Sequence, residues 1–169
     1  RSFFLSIKFL PDAMREPIAL GYLLARTSDT VADSGNVGVQ DRIQALEKIS
    51  HLESNPDFGE FIPNIEHSGE KKLLLAYPEI VDWLRSLDSE NQTAVESVLS
   101  TITQGQKWDL EHFEQPDAKT SDAELVTYTY QVAGCVGEFW TDVGFINLGE
   151  KFADSSDHET MMVDGKKLG

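Results

Sequence analysis

Apolar residues recur at steps of three and four along most of the chain, which is the spacing of one face of an α-helix. The clearest apolar stripe lies within residues 38–54 and comprises Val39, Ile43, Leu46 and Ile49. No segment shows the sustained alternation of apolar and polar positions that a half-buried strand requires. The pattern therefore predicts an all-α fold, with six or seven helices packed as a bundle.

Prolines and turn residues divide this pattern into separate helices. A helix over residues 1–10 is predicted to end at Pro11, and a second is predicted from about 12 to 34, where Ser34-Gly35-Asn36 ends it. The apolar residues of this second helix occupy more than one side, which indicates a buried helix. Further helices are predicted over 38–54, 70–87 with a break at Pro78, 89–114 and 121–147. Loops are predicted over 55–68 and 150–160.

Two segments carry the spacing of a capping box, in which a serine and the glutamate or glutamine three residues later satisfy backbone amides at a helix start. Ser89 with Gln92 is predicted to open the helix that reaches about residue 114. Ser121 with Glu124 is predicted to open the helix that follows.

Length and charge exclude several classes of protein. The 169 residues are enough for one helical domain over 1–169 with a sizeable core. The net charge of −15 leaves no basic surface to bind nucleic acid or an anionic membrane. The single cysteine, Cys135, cannot form an internal disulfide, which fits a reducing compartment and predicts a cytoplasmic protein. No apolar run is long enough to span a membrane.

Two aspartates lie one helical turn apart in the otherwise apolar second helix. Asp29 and Asp33 share one face of that helix, and Arg26 precedes them by one turn. Two like charges at this spacing repel each other, and a magnesium ion would turn the repulsion into ligation. Carboxylates beside a guanidinium suit a metal-bound phosphate or diphosphate. The alternative is that both aspartates are solvated near a helix end and that Arg26 only pairs with them.

The small residues between Val132 and Gly137 also allow two interpretations. Glycine inside a helix costs about 1 kcal/mol relative to alanine, so Gly134 and Gly137 need a reason. One reason is close packing of another helix, and the other is room for a long apolar ligand. Asp109 and His112, also one turn apart, fit a solvated helix face better than a metal site.

Taken together, three segments of this sequence resemble the squalene and phytoene synthase family. Residues 1–11 are similar to the family's Ser-Arg-Ser-Phe opening with the first serine absent. Tyr22 through Asp33 resembles the family's first aspartate-rich motif, with its arginine at Arg26. Tyr128-Thr-Tyr-Gln-Val-Ala-Gly-Cys-Val-Gly-Glu138 resembles its tyrosine and Val-Ala-Gly-x-Val-Gly stretch. The order and spacing of the three segments also fit the family.

The resemblance implies an isoprenoid synthase-type helical bundle around a central cavity. It implies a Mg²⁺-dependent prenyltransferase that joins two prenyl diphosphates head to head through a cyclopropyl intermediate. The implied substrate is farnesyl diphosphate and the implied product is squalene, formed with NADPH as reductant. Phytoene or dehydrosqualene synthase is the alternative enzyme. A non-catalytic helical module that binds a prenyl lipid is the alternative from another functional class.

The resemblance also implies roles for individual residues. Asp29 and Asp33 would ligate Mg²⁺, and Arg26 would hold diphosphate and help to draw it off. Tyr128 would face the reacting carbons as a catalytic residue. The other implied substrate-binding residues are Arg1, Ser2, Phe3, Tyr22, Val132 and Gly137.

Two departures from the family pattern affect these expectations. The family's second aspartate-rich motif is absent, because the late aspartates Asp154, Asp157 and Asp164 do not form it. The chain is therefore expected to be the N-terminal portion of a longer synthase domain and to be inactive alone. Ala32 stands where some relatives have another acidic residue.

Peripheral membrane contact for release of a lipid product also stays open.

Overall fold

The computed structural model describes residues 2–114, 117–153 and 157–169, with side chains from Leu5 onward. These described residues form nine α-helices and contain no strand. The helices are α1 (Ser2–Phe9), α2 (Asp12–Ala32), α3 (Val39–Ser50), α4 (Ser68–Leu75), α5 (Tyr77–Arg85), α6 (Ser89–His112), α7 (Asp122–Thr129), α8 (Cys135–Leu148) and α9 (His158–Leu168). A π-helical turn, Tyr130–Gly134, joins α7 to α8. The predicted all-α fold is confirmed.

The helix count exceeds the prediction for identifiable local reasons. The predicted break at Pro78 is present, since α4 ends before Tyr77-Pro78 and α5 begins there, and the excess arises elsewhere. The predicted helix over 121–147 changes to π geometry in its middle. The predicted loop over 150–160 is wrong at its end, because Asp157 accepts a hydrogen bond from the Thr160 amide at 2.8 Å and starts α9.

One of the two predicted capping boxes is confirmed and the other is wrong. At α7 the Ser121 hydroxyl and the Glu124 carboxylate bond each other's backbone amides. At α6 the cap is Asp88, whose carboxylate accepts from the amides of Glu90 and Asn91 at 3.1 and 3.0 Å. Aspartate one position earlier therefore takes the capping role that the pattern assigned to Ser89.

Helix α2 is the centre of the bundle. It contacts α1, α3, α4, α5, α6 and α8 among the described elements, and its buried residues lie on several sides, as the sequence predicted. Leu20 and Leu24 are fully buried, and so are Leu46 of α3 and Leu99 of α6, which pack in the same core. Because neighbours surround α2, its lengthwise position fixes where its few polar side chains emerge.

The segment between α3 and α4 also contributes to the core, although it contains no α-helix. Phe58, Phe61 and Ile65 are buried there, and the rings of Phe58 and Tyr77 meet edge to face at 5.6 Å between centroids. No helix in the described ranges is long and apolar enough to cross a membrane.

Helices α8 and α9 touch backbone to backbone. A β-carbon built on Gly137 would lie 1.8 Å from the Gly165 carbonyl oxygen, and one on Gly165 would lie 2.6 Å from the Gly137 oxygen. Close packing is therefore the reason for glycine at position 137, which decides between the two interpretations of this residue.

This packing predicts that Gly137→Ala destabilises the fold. The clash is with backbone atoms, which cannot rotate aside as a side chain can, so we expect the free energy of unfolding to fall by about 2 kcal/mol or more. Urea denaturation followed by circular dichroism measures the loss. Gly35→Ala is the matched control, because a β-carbon there meets nothing within 4 Å. Equal stability of the two variants would contradict the proposed contact.

Candidate functional site

An apolar cavity of about 210 Å³ lies between α2, α6, the π-helical turn and α8. Its wall is mostly aliphatic and aromatic, with one carboxylate among the lining side chains. The lining residues are Ile18, Gly21, Tyr22, Ala25, Asp29, Val98, Ile102, Val132, Val136, Phe139 and Trp140. Five of these residues, from Ile18 to Asp29, belong to α2 and follow one another at helical spacing, so one stripe of α2 forms a wall of the cavity.

Asp29 is the charged residue of this wall. Its side chain is 47% exposed, and its Oδ1 accepts a hydrogen bond from Gln106 Nε2 of α6 at 2.7 Å. Burial raises the pKa of Asp29, and the nearby Arg26 charge opposes that rise. The Asp33 carboxylate raises the pKa further, and the Gln106 hydrogen bond lowers it. Asp29 therefore lies at the border between the cavity and solvent, within the electrostatic reach of a second carboxylate.

Arg26 lies between two acidic side chains. Its Nη1 is 3.8 Å from Asp29 Oδ2, and its Nη2 is 2.5 Å from Glu70 Oε1 of α4. The shorter contact is with Glu70, which the sequence did not suggest as a partner. Arg26, Asp29 and Glu70 also line a cleft of about 560 Å³ between α2 and α4, which they share with apolar side chains such as Leu23 and Leu73. A guanidinium in such a cleft can bind a phosphate group once the ion pair opens.

Asp33 stands just past the end of α2 and is exposed. It lines a smaller pocket of about 190 Å³ together with Arg26 and Glu70, so it lies on the same side of α2 as these residues. Arg42 Nη1 of α3 donates a hydrogen bond to the Ala32 carbonyl at 2.8 Å and caps the last turn of α2. This cap offsets the partial negative charge of the helix end next to Asp33.

The donor set suits Mg²⁺ bound together with a phosphate group. No group of three or more histidine, cysteine or acidic side chains in the described ranges is arranged to hold a metal by itself. Mg²⁺ commonly uses one or two carboxylates and completes its shell with water and substrate phosphates. Asp29 and Asp33 could supply two carboxylates beside Arg26.

Tyr128 of α7 is not among the residues that line the apolar cavity; it lines a neighbouring pocket with Trp108 and Gln131. Its ring packs against Trp108 of α6 at 5.3 Å between centroids. Burial raises the pKa of Tyr128, and the nearby Asp109 carboxylate raises it further. Asp33 and Asp29 add smaller effects in the same direction. The phenol therefore faces the acidic end of the site and stays protonated at neutral pH.

The remaining predicted site residues fall into three groups. Val132 and Tyr22 line the cavity, and Tyr22 is 37% exposed at its edge. Gly137 does not line it, because its α-carbon faces Gly165 of α9, and the expected substrate-binding position is corrected accordingly. Arg1 lies outside the described residues, and so do the side chains of Ser2 and Phe3.

Sequence reasoning missed three polar residues of the site. Gln106 and Asp109 are both on α6, and Glu70 is on α4. The sequence placed Asp109 on a solvated face with His112, whereas Asp109 is half-buried and meets Tyr128, and His112 stacks on Trp108 at 4.4 Å. The sequence signal for Gln106 and Asp109 was their spacing of three residues, which places both on one face of α6.

The late aspartates have local structural roles. Asp157 caps α9, and Asp164 pairs with Lys167 at 3.3 Å. Asp154 lies outside the described residues.

Comparison with known proteins identifies relatives of this chain. The family model described as Squalene/phytoene synthase matches residues 1–168. Squalene synthase BSS of Botryococcus braunii is 30% identical over 141 residues, and Homo sapiens squalene synthase is 27% identical over 137 residues. Each alignment covers 81% of this chain but only 28% and 31% of those two proteins.

A solved structure of TcSQS in complex with the ligand E5700 has the same fold. The two structures share a TM-score of 0.72 at 24% sequence identity, over 98% of this chain and 46% of the other. The family match agrees with the resemblance of the three sequence segments, and the fold similarity agrees with the predicted helical bundle. The chain belongs to the squalene/phytoene synthase family.

Proposed function

We propose that the protein carrying this chain joins two farnesyl diphosphates head to head, with Mg²⁺ held by Asp29 and Asp33. The observation that carries the proposal is the position of Asp29, a half-buried carboxylate in the wall of an otherwise apolar cavity. A prenyl diphosphate has the same division, with a charged head and a long apolar tail. The site offers the charged side chains of the cleft, Arg26 among them, for the first and an apolar cavity for the second.

The polar end supports departure of diphosphate. Breaking an allylic carbon–oxygen bond leaves negative charge on the diphosphate, and Mg²⁺, when bound, neutralises that charge. Arg26 adds a guanidinium that matches phosphate oxygens in geometry. For Arg26 to contact diphosphate, its ion pair with Glu70 has to open or be shared with the ligand.

The apolar end supports the carbocation that remains. Aliphatic side chains from α2, α6 and α8 would limit the access of water that captures it, once the prenyl chain fills the cavity. Phe139 and Trp140 add aromatic rings to the same wall, and a ring face attracts a nearby cation. The cavity therefore combines water exclusion with aromatic contacts, as the chemistry requires.

Tyr128 is proposed to act at the boundary between these ends. Its raised pKa keeps the phenol neutral, so it can donate a hydrogen bond to a departing oxygen and can present its ring to a cation. Trp108 packs against one side of it and limits its movement.

The choice of squalene as product rests on the sequence and on the relatives. Asp29-Thr-Val-Ala-Asp33 and Phe139-Trp140-Thr-Asp142 are more similar to squalene-type than to phytoene-type members. The two curated relatives described above are squalene synthases. Squalene formation would require NADPH, whereas dehydrosqualene formation would not, so the reductant separates the two products experimentally.

One prediction of this proposal concerns Asp29. In the full protein that carries this sequence, Asp29→Asn should lower Mg²⁺-dependent diphosphate release from farnesyl diphosphate by roughly 100-fold or more, because a metal contact supplies several kcal/mol of charge stabilisation. Asp82→Asn is the matched control, since Asp82 pairs with Arg85 at the same i,i+3 spacing, at 3.4 Å, on α5. The control should keep activity within about twofold.

Product analysis with and without NADPH completes this test. Squalene that requires NADPH supports the proposed reaction, and phytoene or dehydrosqualene would reassign the product. Binding of farnesyl diphosphate without any release of diphosphate would favour a prenyl-lipid-binding module. Full turnover by Asp29→Asn would remove the metal assignment.

Another prediction of this proposal concerns the phenol of Tyr128. Tyr128→Phe keeps the ring and removes the hydroxyl, so we expect kcat to fall about 100-fold with little change in KM, as for loss of one positioned proton donor. Tyr130→Phe is the matched control, because its hydroxyl donates to Glu138 and its ring lies under Lys166 of α9. Equal rates for the two variants would contradict the role of Tyr128.

A further inference from the structure

We propose that Gln106 is a positioning residue that orients the Asp29 carboxylate for metal binding. The proposal deepens the proposed function and rests on it. Gln106 belongs to α6, 77 residues away from Asp29 in sequence, and it belongs to none of the three sequence segments that identify the family.

The geometry of Gln106 is that of a buried polar side chain with a single described contact. Its residue is 8% exposed, and its Nε2 donates to Asp29 Oδ1 at 2.7 Å. Its Oε1 is buried and has no hydrogen-bond partner among the described residues. The carboxylate can only accept, which fixes the amide orientation with nitrogen toward Asp29.

This arrangement is unfavourable for stability alone. An unpaired buried carbonyl oxygen lowers stability, whereas methionine would fill a similar volume without that penalty. The hydrogen bond to Asp29 is the compensating contact that the structure offers. The loss of stability at Gln106 Oε1 therefore accompanies the hydrogen bond by which Gln106 orients the Asp29 carboxylate.

Helix packing fixes the reach of Gln106. A β-carbon on the preceding Gly105 would lie 2.9 Å from side-chain atoms of both Gln131 and Val132 in the π-helical turn. Helix α6 therefore approaches that turn closely at the level of Gln106. The amide consequently meets Asp29 from a rigid element and not from a loop.

An amide is chemically suited to this task. It restrains Oδ1 without adding positive charge, so it does not oppose a cation as a lysine or arginine at the same place would. With Oδ1 of Asp29 held by Gln106, Oδ2 remains on the Arg26 side. Oδ2 lies 3.8 Å from Arg26 Nη1. A hydrogen bond from outside the ligand set commonly fixes a metal-binding carboxylate in this manner.

The test is Mn²⁺ binding to the full protein that carries this sequence, measured by electron paramagnetic resonance of free Mn²⁺. Gln106→Met should weaken Mn²⁺ binding about tenfold, because loss of such an orienting contact costs 10- to 100-fold in affinity. Thermal stability should be unchanged or higher. Gln92→Met is the matched control, because Gln92 of the same helix donates to Glu96 at 3.1 Å and should keep wild-type affinity.

Asp29→Asn separates this inference from the proposed function. Wild-type protein that shows no Asp29-dependent Mn²⁺ binding would contradict the proposed function itself. Binding that Asp29→Asn removes and Gln106→Met leaves intact would overturn the role of Gln106 alone, as would equal losses in Gln106→Met and Gln92→Met. In the Asp29→Asn background, Gln106→Met should have no further effect. If Gln106→Met does not fold, Gln106→Leu repeats the measurement.

Discussion

The placement of one carboxylate at an apolar boundary is the constraint on which this structure depends. Asp29 lies where the apolar cavity meets the cleft that holds Arg26 and Glu70, and the effect of its burial is opposed by Arg26 and Gln106. A carboxylate further inside would become neutral, and one further outside would lose contact with a bound hydrocarbon. The two partners of Asp29, Arg26 on α2 and Gln106 on α6, keep it at the intermediate depth.

Helix α2 makes this placement possible because it is central to the bundle. Its long buried surface fixes its axis, and the polar residues Thr27, Ser28 and Thr30 bond back to carbonyls of the same helix. Arg26 and Asp29 then emerge near its C-terminal end. Arg42 from α3 caps that end beside Asp33. The core and the candidate site are thus built from the same helix.

Local patterns predicted the features that depend on local chemistry. The apolar stripe of α3 and the capping box at Ser121 are confirmed, because neighbours in sequence decide both. The break at Pro78 likewise follows from the missing amide of proline. The error at Ser89 has the same origin, since Asp88 offers a competing cap one residue earlier.

Contacts between distant segments could not be predicted in this way. Glu70 meets Arg26 across 44 residues, and Gln106 meets Asp29 across 77. Nothing in the sequence near Arg26 indicates that α4 passes beside it. Gly137 illustrates the converse case, because the choice between a ligand and a helix neighbour needed the position of α9. The resemblance to a family supplied Tyr128, which local patterns alone would have left as an ordinary aromatic residue.

The most direct test of this account is a crystal structure of the full protein with Mg²⁺ and farnesyl thiodiphosphate, an analogue that resists ionisation. The account predicts Mg²⁺ about 2.1 Å from a carboxylate oxygen of Asp29, with the prenyl tail between α2, α6 and α8. A tail bound elsewhere, or Mg²⁺ on the diphosphate without contact to Asp29 or Asp33, would contradict it.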